Sequence, residues 1–429
     1  MAWSGELQVE YALSRCQAFL DEVSRLKESR FPYEHSAMAL ERMRALLREW
    51  KRRLRNLGPK SPTALVYKDV EECLGEIQLR LPLLGFIERS TNPRTAFEVY
   101  GPLLRLARTL LDGPSGESSD QLLLVLSSEW DYVPHIMGGV AGLDGFVFLG
   151  LPAHEAVNPM LTTLAGHELG HCLWYRRDCD TEWELRVTDE VAGALTQYWS
   201  DFQGEFREYK DRDADAVHMD AVVYTEFVYP AVHWALAQCR EVFADFVGLL
   251  LFGRAYLRAL AYLLSPGRKV PRSHRYPPIE DRAQYLYDMA TACSWAMPHE
   301  LGNYTGLYPF HERPLRDPRA AFLLSLADGA RRSLTGHLWT SARRFVDESG
   351  APTPNDALTA EARCLLRLEV PCGKPAGLAD ILNAAWDEAP TLSGRGKDAG
   401  KARRRADSLS ELVLKSCEIL EYEHRTKGP

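Results

Sequence analysis

No apolar run in this chain is long enough to cross a bilayer. The most apolar stretch, Val242 to Phe252, is interrupted by Asp245 and falls short of the roughly 20 residues a membrane-spanning helix needs. Its extension to Leu264 brings in Arg254 and Arg258, so the whole reads as a buried core helix, kinked or broken near Gly253. No basic head followed by an apolar run and a small-residue cleavage site opens the sequence, so a cytoplasmic location is expected. The nine cysteines contain no C-x-x-C pair, and their odd number argues against a disulfide framework; reduced, buried thiols are expected. Positive charge is not in excess: 51 Lys and Arg face 59 Asp and Glu, a net charge of −8 that gives no reason to expect nucleic acid. Lys51, Arg52 and Arg53, with Arg48 and Arg55, form a basic run, and without interleaved aromatics or a wider basic surface it reads as a solvated helix face. Internal repeats and long low-complexity tracts are also missing.

What is present suits a protein of two or three domains, or one elaborated core, within 429 residues. The N-terminal third has a helical pattern. Leu40, Met43, Leu47, Trp50, Leu54 and Leu57 recur at three- and four-residue intervals, and Cys16, Phe19, Val23 and Leu26 repeat the pattern across Phe31-Pro32, so an antiparallel helical hairpin is expected. Asp112 to Asp120 is turn-rich and marks a junction. Leu122 to Leu126 and Phe146 to Leu149 are short apolar runs consistent with strands. From about Ala320 onward the pattern is helical again, with Thr391 to Asp407 expected as a loop before a final helix from Ser408 to His424. The fold class expected is α+β, predominantly helical.

The chemistry concentrates at Leu161 to Trp174, which contains His167-Glu168-Leu169-Gly170-His171, an H-E-x-x-H. On a helix His167 and His171 project from one face, where two imidazoles can hold one zinc ion at about 2.0–2.1 Å. Glu168 then reaches the metal's open side, where a carboxylate can take a proton from water. Leu161, Leu164, Ala165, Leu169, Cys172 and Leu173 supply an apolar stripe beside the histidines. Gly166 and Gly170 weaken the helix by about 1 kcal/mol each relative to alanine, but their four-residue spacing allows another backbone to approach closely. The bland alternative is a structural helix that carries two histidines by chance.

A metal site needs a third protein ligand. A histidine six residues beyond His171 would give the metzincin pattern, but Arg177 stands there and Trp174 replaces the intervening glycine. The other common solution is a glutamate on a second helix with an aspartate one turn later. Downstream of His171, Glu-x-x-x-Asp occurs once, at Glu241 to Asp245. Its neighbours Trp234, Leu236, Val242, Phe243, Phe246, Val247 and Leu249 are apolar, and carboxylates so placed are costly to bury unless paired or metal-bound. His218 and His233 are the alternative third ligands.

HELGH followed by E-V-F-A-D resembles the gluzincin metallopeptidases, the thermolysin-like group, and most closely their compact-core type. The resemblance covers the two motifs and what joins them, well under half the chain. It implies a zincin-like core in which a small sheet precedes the H-E-x-x-H helix and a second helix bears the glutamate. The corresponding regions would be 1–118 (helical), 119–310 (core, with a helical insertion at about 177–229) and 311–429 (helical). The insertion follows from the roughly seventy residues between His171 and Glu241, more than in the tightest members. His167, His171 and Glu241 would be metal ligands for one Zn2+ per chain, Glu168 the general base, and Asp245 the group that orients a histidine. In His274 to Arg282, His274 or Tyr276 would donate to the oxyanion and Arg282 would brace the site through a carboxylate. Phe146 to Leu151 would be the sheet's edge strand, able to pair with an extended peptide.

The activity implied is zinc-dependent hydrolysis of a peptide or protein substrate. The G-x-M-E-N type motif of the aminopeptidase branch is absent, which favours a narrow endopeptidase. The alternative is a non-catalytic interaction protein that keeps the zincin fold as a scaffold and binds a protein partner through its helical flanks. An intact Glu168 argues against that, since a structural metal has no need of a base.

Overall fold

The computed structural model describes residues 5–57, 61–91, 97–113, 122–129, 135–138, 142–155, 158–211, 221–264, 272–293, 295, 301–307, 315–389 and 399–427. These are predominantly helical, with one three-stranded sheet. Two compact units emerge, one from residues 1–100 with 118–157 and the other from 101–117 with 158–429. The strands group with the N-terminal helices in the first of these units.

In the first unit, helices α1 (Gly5–Lys27), α2 (Glu34–Arg55) and α3 (Thr63–Arg89) pack around a shared seam. Cys16, Phe19, Val23 and Leu26 meet Leu40, Met43, Leu47 and Leu54, all buried, while Trp50 and Leu57 lie half-buried at the rim. The sheet contains β1 (Leu123–Glu129), β2 (His135–Gly138) and β3 (Phe146–Pro152) in the order β1-β3-β2. β3 runs parallel to β1 and antiparallel to β2, so it is the central strand and not an edge. Its backbone is paired with β1 along its whole length and with β2 from Val147 to Gly150, so Phe146 to Leu151 is not the open edge expected for a peptide to join. Its near-continuous apolar sequence suits this position, because a central strand is covered on both faces. The outer side of β1 is closed by side chains. Tyr33 and Tyr100 donate to the Leu126 and Leu124 carbonyls, and the Leu124 N–H donates to His35 Nδ1 at 3.1 Å.

The second unit is helical. After α4 (Tyr100–Asp112) come α5 (Ala165–Arg176), α6 (Cys179–Gln197), α7 (Trp199–Glu205) and a short α8 (Ala221–Val223). A π-turn, Tyr224–Val228, then leads into α9 (Tyr229–Phe252). From Val242 to Phe252 every residue of α9 is buried, as expected of a helix apolar on all sides. It packs against both α5 and α12 (Pro318–Ser349). Gly253, at φ 55° and ψ −132°, breaks the run before α10 (Arg254–Leu264). Asn383 from α14 (Leu378–Glu388) repairs the interruption: its amide donates to the Phe252 carbonyl at 2.8 Å and accepts from the Ala255 N–H at 2.9 Å. The chain can thus reverse at Gly253 with its backbone groups satisfied.

Around these lie α11 (Ile279–Ala292), α13 (Asp356–Arg367) and α15 (Ala399–Lys427). The final helix starts nine residues before the expected Ser408. Ala399 to Asp407 is rich in alanine, lysine and arginine, which favour helix despite their polarity. The remainder of the expected loop, 391–398, lies outside the described residues, as does most of the junction at 112–120. Among the described residues, no helix is long and apolar enough to cross a membrane. None of the nine cysteines forms a disulfide, and seven are buried as expected, while Cys293 is half-buried and Cys364 exposed.

Candidate metal centre

The site is made where α5 crosses α9. Gly170 and Gly166 permit the approach: a Cβ on Gly170 would stand 2.6 Å from Ala244 Cα, and one on Gly166 would stand 3.0 Å from Gly248 Cα. Backbone meets backbone there, as the four-residue glycine spacing suggested. The histidine face of α5 thereby comes within reach of Glu241.

Three ligand atoms converge. His167 and His171 sit one turn apart with perpendicular rings, 4.7 Å between centroids, and their Nε2 atoms are 3.2 Å apart. Glu241 Oε2 lies 3.3 Å from His167 Nε2, and Oε1 lies 3.6 Å from His171 Nε2. One ligand atom from each of the three residues fits within 4.8 Å of the others. Each side chain keeps a little exposure, 13–17%.

Asp245, one turn after Glu241, decides the state of His167. Its Oδ1 is 2.9 Å from His167 Nδ1, and an ionised carboxylate only accepts. Nδ1 must therefore donate, which leaves Nε2 as the His167 nitrogen that faces His171 and Glu241. Asp245 is fully buried and heavily bonded. Arg282 clamps it with Nε on Oδ2 at 2.9 Å and Nη2 on Oδ1 at 2.6 Å, while the Tyr256 and Tyr285 hydroxyls donate at 2.7 and 2.6 Å. Burial alone would raise the Asp245 carboxyl, but the Arg282 charge and the His167 bond hold it well below the usual carboxylate range.

The balance of charge within the cluster is uneven. Arg282 cancels Asp245, and Glu241 is left beside two imidazoles. Burial pushes the Glu241 carboxyl up, but the histidines outweigh it and keep the group ionised. Its Oε2 is buried without a hydrogen-bond partner in the structure. Burial disfavours charge on His167, yet Asp245 and Glu241 overcome it and lift the imidazole to about 10. Burial and then the neighbouring His167 push His171 down to about 4. Two close nitrogens, one of them oriented by Asp245, and a carboxylate oxygen without a hydrogen-bond partner are a donor set that could hold a metal ion in place of the His167 proton. An ion with nitrogen and oxygen ligands, such as zinc, fits that donor set.

Glu168 lies on the same helix, only 7% exposed, and no hydrogen bond or ion pair among the described residues engages it. Burial raises its carboxyl to about 7, with the charge of His167 opposing. A carboxylate poised there can accept a proton near neutrality.

The other sequence-derived candidates separate. Arg282 braces Asp245 directly, the role the resemblance implied. Tyr276, 46% exposed, is close enough to Glu241 for that charge to be the main cause raising its hydroxyl. His274 stacks on Trp234, two turns before Glu241 on α9, at 5.0 Å between centroids. His233 is exposed and packs edge-on against Tyr229 at 4.3 Å, so it is no part of the cluster. His218 lies outside the described residues. Tyr256 and Tyr285 were missed, since tyrosines in apolar helices read as core. One signal was available for Tyr285: it follows Arg282 by three residues, which puts both on one face of α11. Tyr256 had none, because only the reversal at Gly253 brings it back to Asp245. Compared with protein-family models, with curated proteins and with solved structures, the chain gives no match.

Proposed function

We propose that this protein is a zinc-dependent metallopeptidase of the gluzincin kind, with His167, His171 and Glu241 as the ligand set. The observation that carries the reading is the convergence of His167 Nε2, His171 Nε2 and the Glu241 carboxylate beside an unpartnered, buried Glu168. A zinc ion held there would supply Lewis-acid polarisation of a carbonyl and acidify water. The chain's own residues do the rest. Glu168 takes the proton from the attacking water and hands it to the leaving amine, a transfer suited to a carboxyl raised to about 7. Asp245 fixes the His167 tautomer, and Arg282, Tyr256 and Tyr285 immobilise Asp245. Tyr276 stands nearby with a hydroxyl that stays protonated and can donate to developing negative charge. Action within a chain is favoured over removal of N-terminal residues, since the sequence has no aminopeptidase G-x-M-E-N motif.

Elemental analysis of purified wild-type and Glu241→Ala protein tests this directly. About one zinc per chain in wild type, lost in the variant, supports the ligand set. Wild-type protein that stays metal-free after zinc loading overturns it. With zinc bound, cleavage of a mixed peptide library by wild type but not by Glu168→Gln supports hydrolysis. A zinc-loaded protein that cleaves nothing would instead favour the scaffold reading.

A further inference from the structure

The basic run on α2 does not simply face solvent. Arg44, Arg48, Lys51, Arg52 and Arg55 line a concavity of about 500 Å³ between α2 and α1, in which Asp21 is the one acidic lining residue. Their spacing places them on successive turns of one face, a cationic row roughly 16 Å long at 1.5 Å per residue. Local charge of this kind runs against composition, because the chain as a whole carries −8.

Little of that charge is answered within the protein. Arg52 is paired with Glu49, and Arg44 only loosely with Glu41 at 3.6 Å. Lys51 donates to Gln17, whose amide in turn donates to Asp21 at 2.6 Å. Arg48 and Arg55 have no hydrogen bond or ion pair among the described residues. Like charges on consecutive turns disfavour a helix, so the row strains α2 unless an external anion relieves it.

We propose that the α1–α2 groove binds a small ligand carrying two or more phosphates. Four of its five cations are arginines, whose planar forks match phosphate oxygens in pairs. Turns about 5.4 Å apart present successive guanidinium groups to successive phosphates. Leu20 is the one large apolar side chain in the lining, so the ligand is recognised by charge and not by an apolar body. The volume suits a small molecule, and Asp21 stands against a long anionic strand laid through the groove. This groove belongs to the first unit and the candidate metal centre to the second, so the proposal is independent of peptidase activity.

Titration calorimetry of the full chain with inorganic tripolyphosphate, at about 0.15 M ionic strength to screen diffuse attraction, tests this. Saturable binding is expected, with Arg48→Ala/Arg55→Ala weakening it roughly tenfold or more for each guanidinium lost. Arg186→Ala/Arg425→Ala, the same loss of charge elsewhere, is expected to bind as wild type does; circular dichroism confirms that each variant is folded. Vesicles with phosphorylated inositol headgroups locate the source. Capture that tripolyphosphate competes away shows the same site reading a lipid headgroup, and no capture shows a soluble ligand. The proposal is overturned by absence of saturable binding, by undiminished binding in Arg48→Ala/Arg55→Ala, or by tighter binding of a single-stranded oligonucleotide.

Discussion

Replacing Gly170 with alanine isolates the helix crossing on which the proposed metal centre depends. The new Cβ would stand 2.6 Å from Ala244 Cα, 3.0 Å from its carbonyl oxygen and 3.1 Å from Val247 Cβ. The first two are backbone atoms, so no side-chain rotation relieves the overlap. Ordinary contact begins at 3.4 Å, which requires α5 and α9 to part by about 0.8 Å. Overpacking of this kind costs about 1–3 kcal/mol, offset by the roughly 1 kcal/mol that alanine gains over glycine in a helix. A net loss of up to about 2 kcal/mol is expected, a fall in melting temperature of up to a few degrees. The effect on the metal is larger, because ligand distances tolerate only about 0.2 Å. Zinc affinity, measured by chelator competition, is expected to fall at least tenfold, on the order caused by disturbing the shell around a ligand. Gly336→Ala is the matched control. Gly336 lies in α12 with nothing within 4 Å of a new Cβ, and there alanine is expected to stabilise by about 0.5–1 kcal/mol. If Gly170→Ala melts at or above the wild-type temperature with unchanged zinc affinity, the close crossing and the reasoning built on it are wrong.

Other substitutions probe the site one function at a time. Glu168→Gln is expected to retain zinc and lose hydrolysis by about 10²–10⁴-fold, the usual weight of a general base; full turnover in the metal-replete variant would remove Glu168 from the reaction. Tyr285→Phe deletes one donor to Asp245 and is expected to weaken zinc by roughly tenfold while the protein stays folded, as read by chelator competition. Asp245→Ala strands the buried Arg282 charge, so a loss of about 3–5 kcal/mol in denaturant unfolding is expected. Under the proposed function, removing zinc by chelation is expected to abolish peptide cleavage and to lower thermal stability together, since a metal held by the folded state alone stabilises it.

The sequence by itself determined the helical character of most of the chain, because periodic apolar residues report burial on one side of a local element. Cys16 to Leu26 and Leu40 to Leu54 formed the hairpin seam that their spacing demanded. His167 and His171 were legible for the same reason, since residues four apart on a helix must share a face. Glu241 and Asp245 were legible because two carboxylates within an apolar helix call for partners. Tertiary structure alone decided the remainder. Whether Phe146 to Leu151 lay at an edge depended on which strands came to flank it, a long-range pairing that leaves no local trace. That Tyr256 and Tyr285 complete the bonds of Asp245 depended on the reversal at Gly253 and the docking of α11. The basic run on α2 became a groove only when α1 was laid beside it, because concavity belongs to a pair of helices and neither carries it alone.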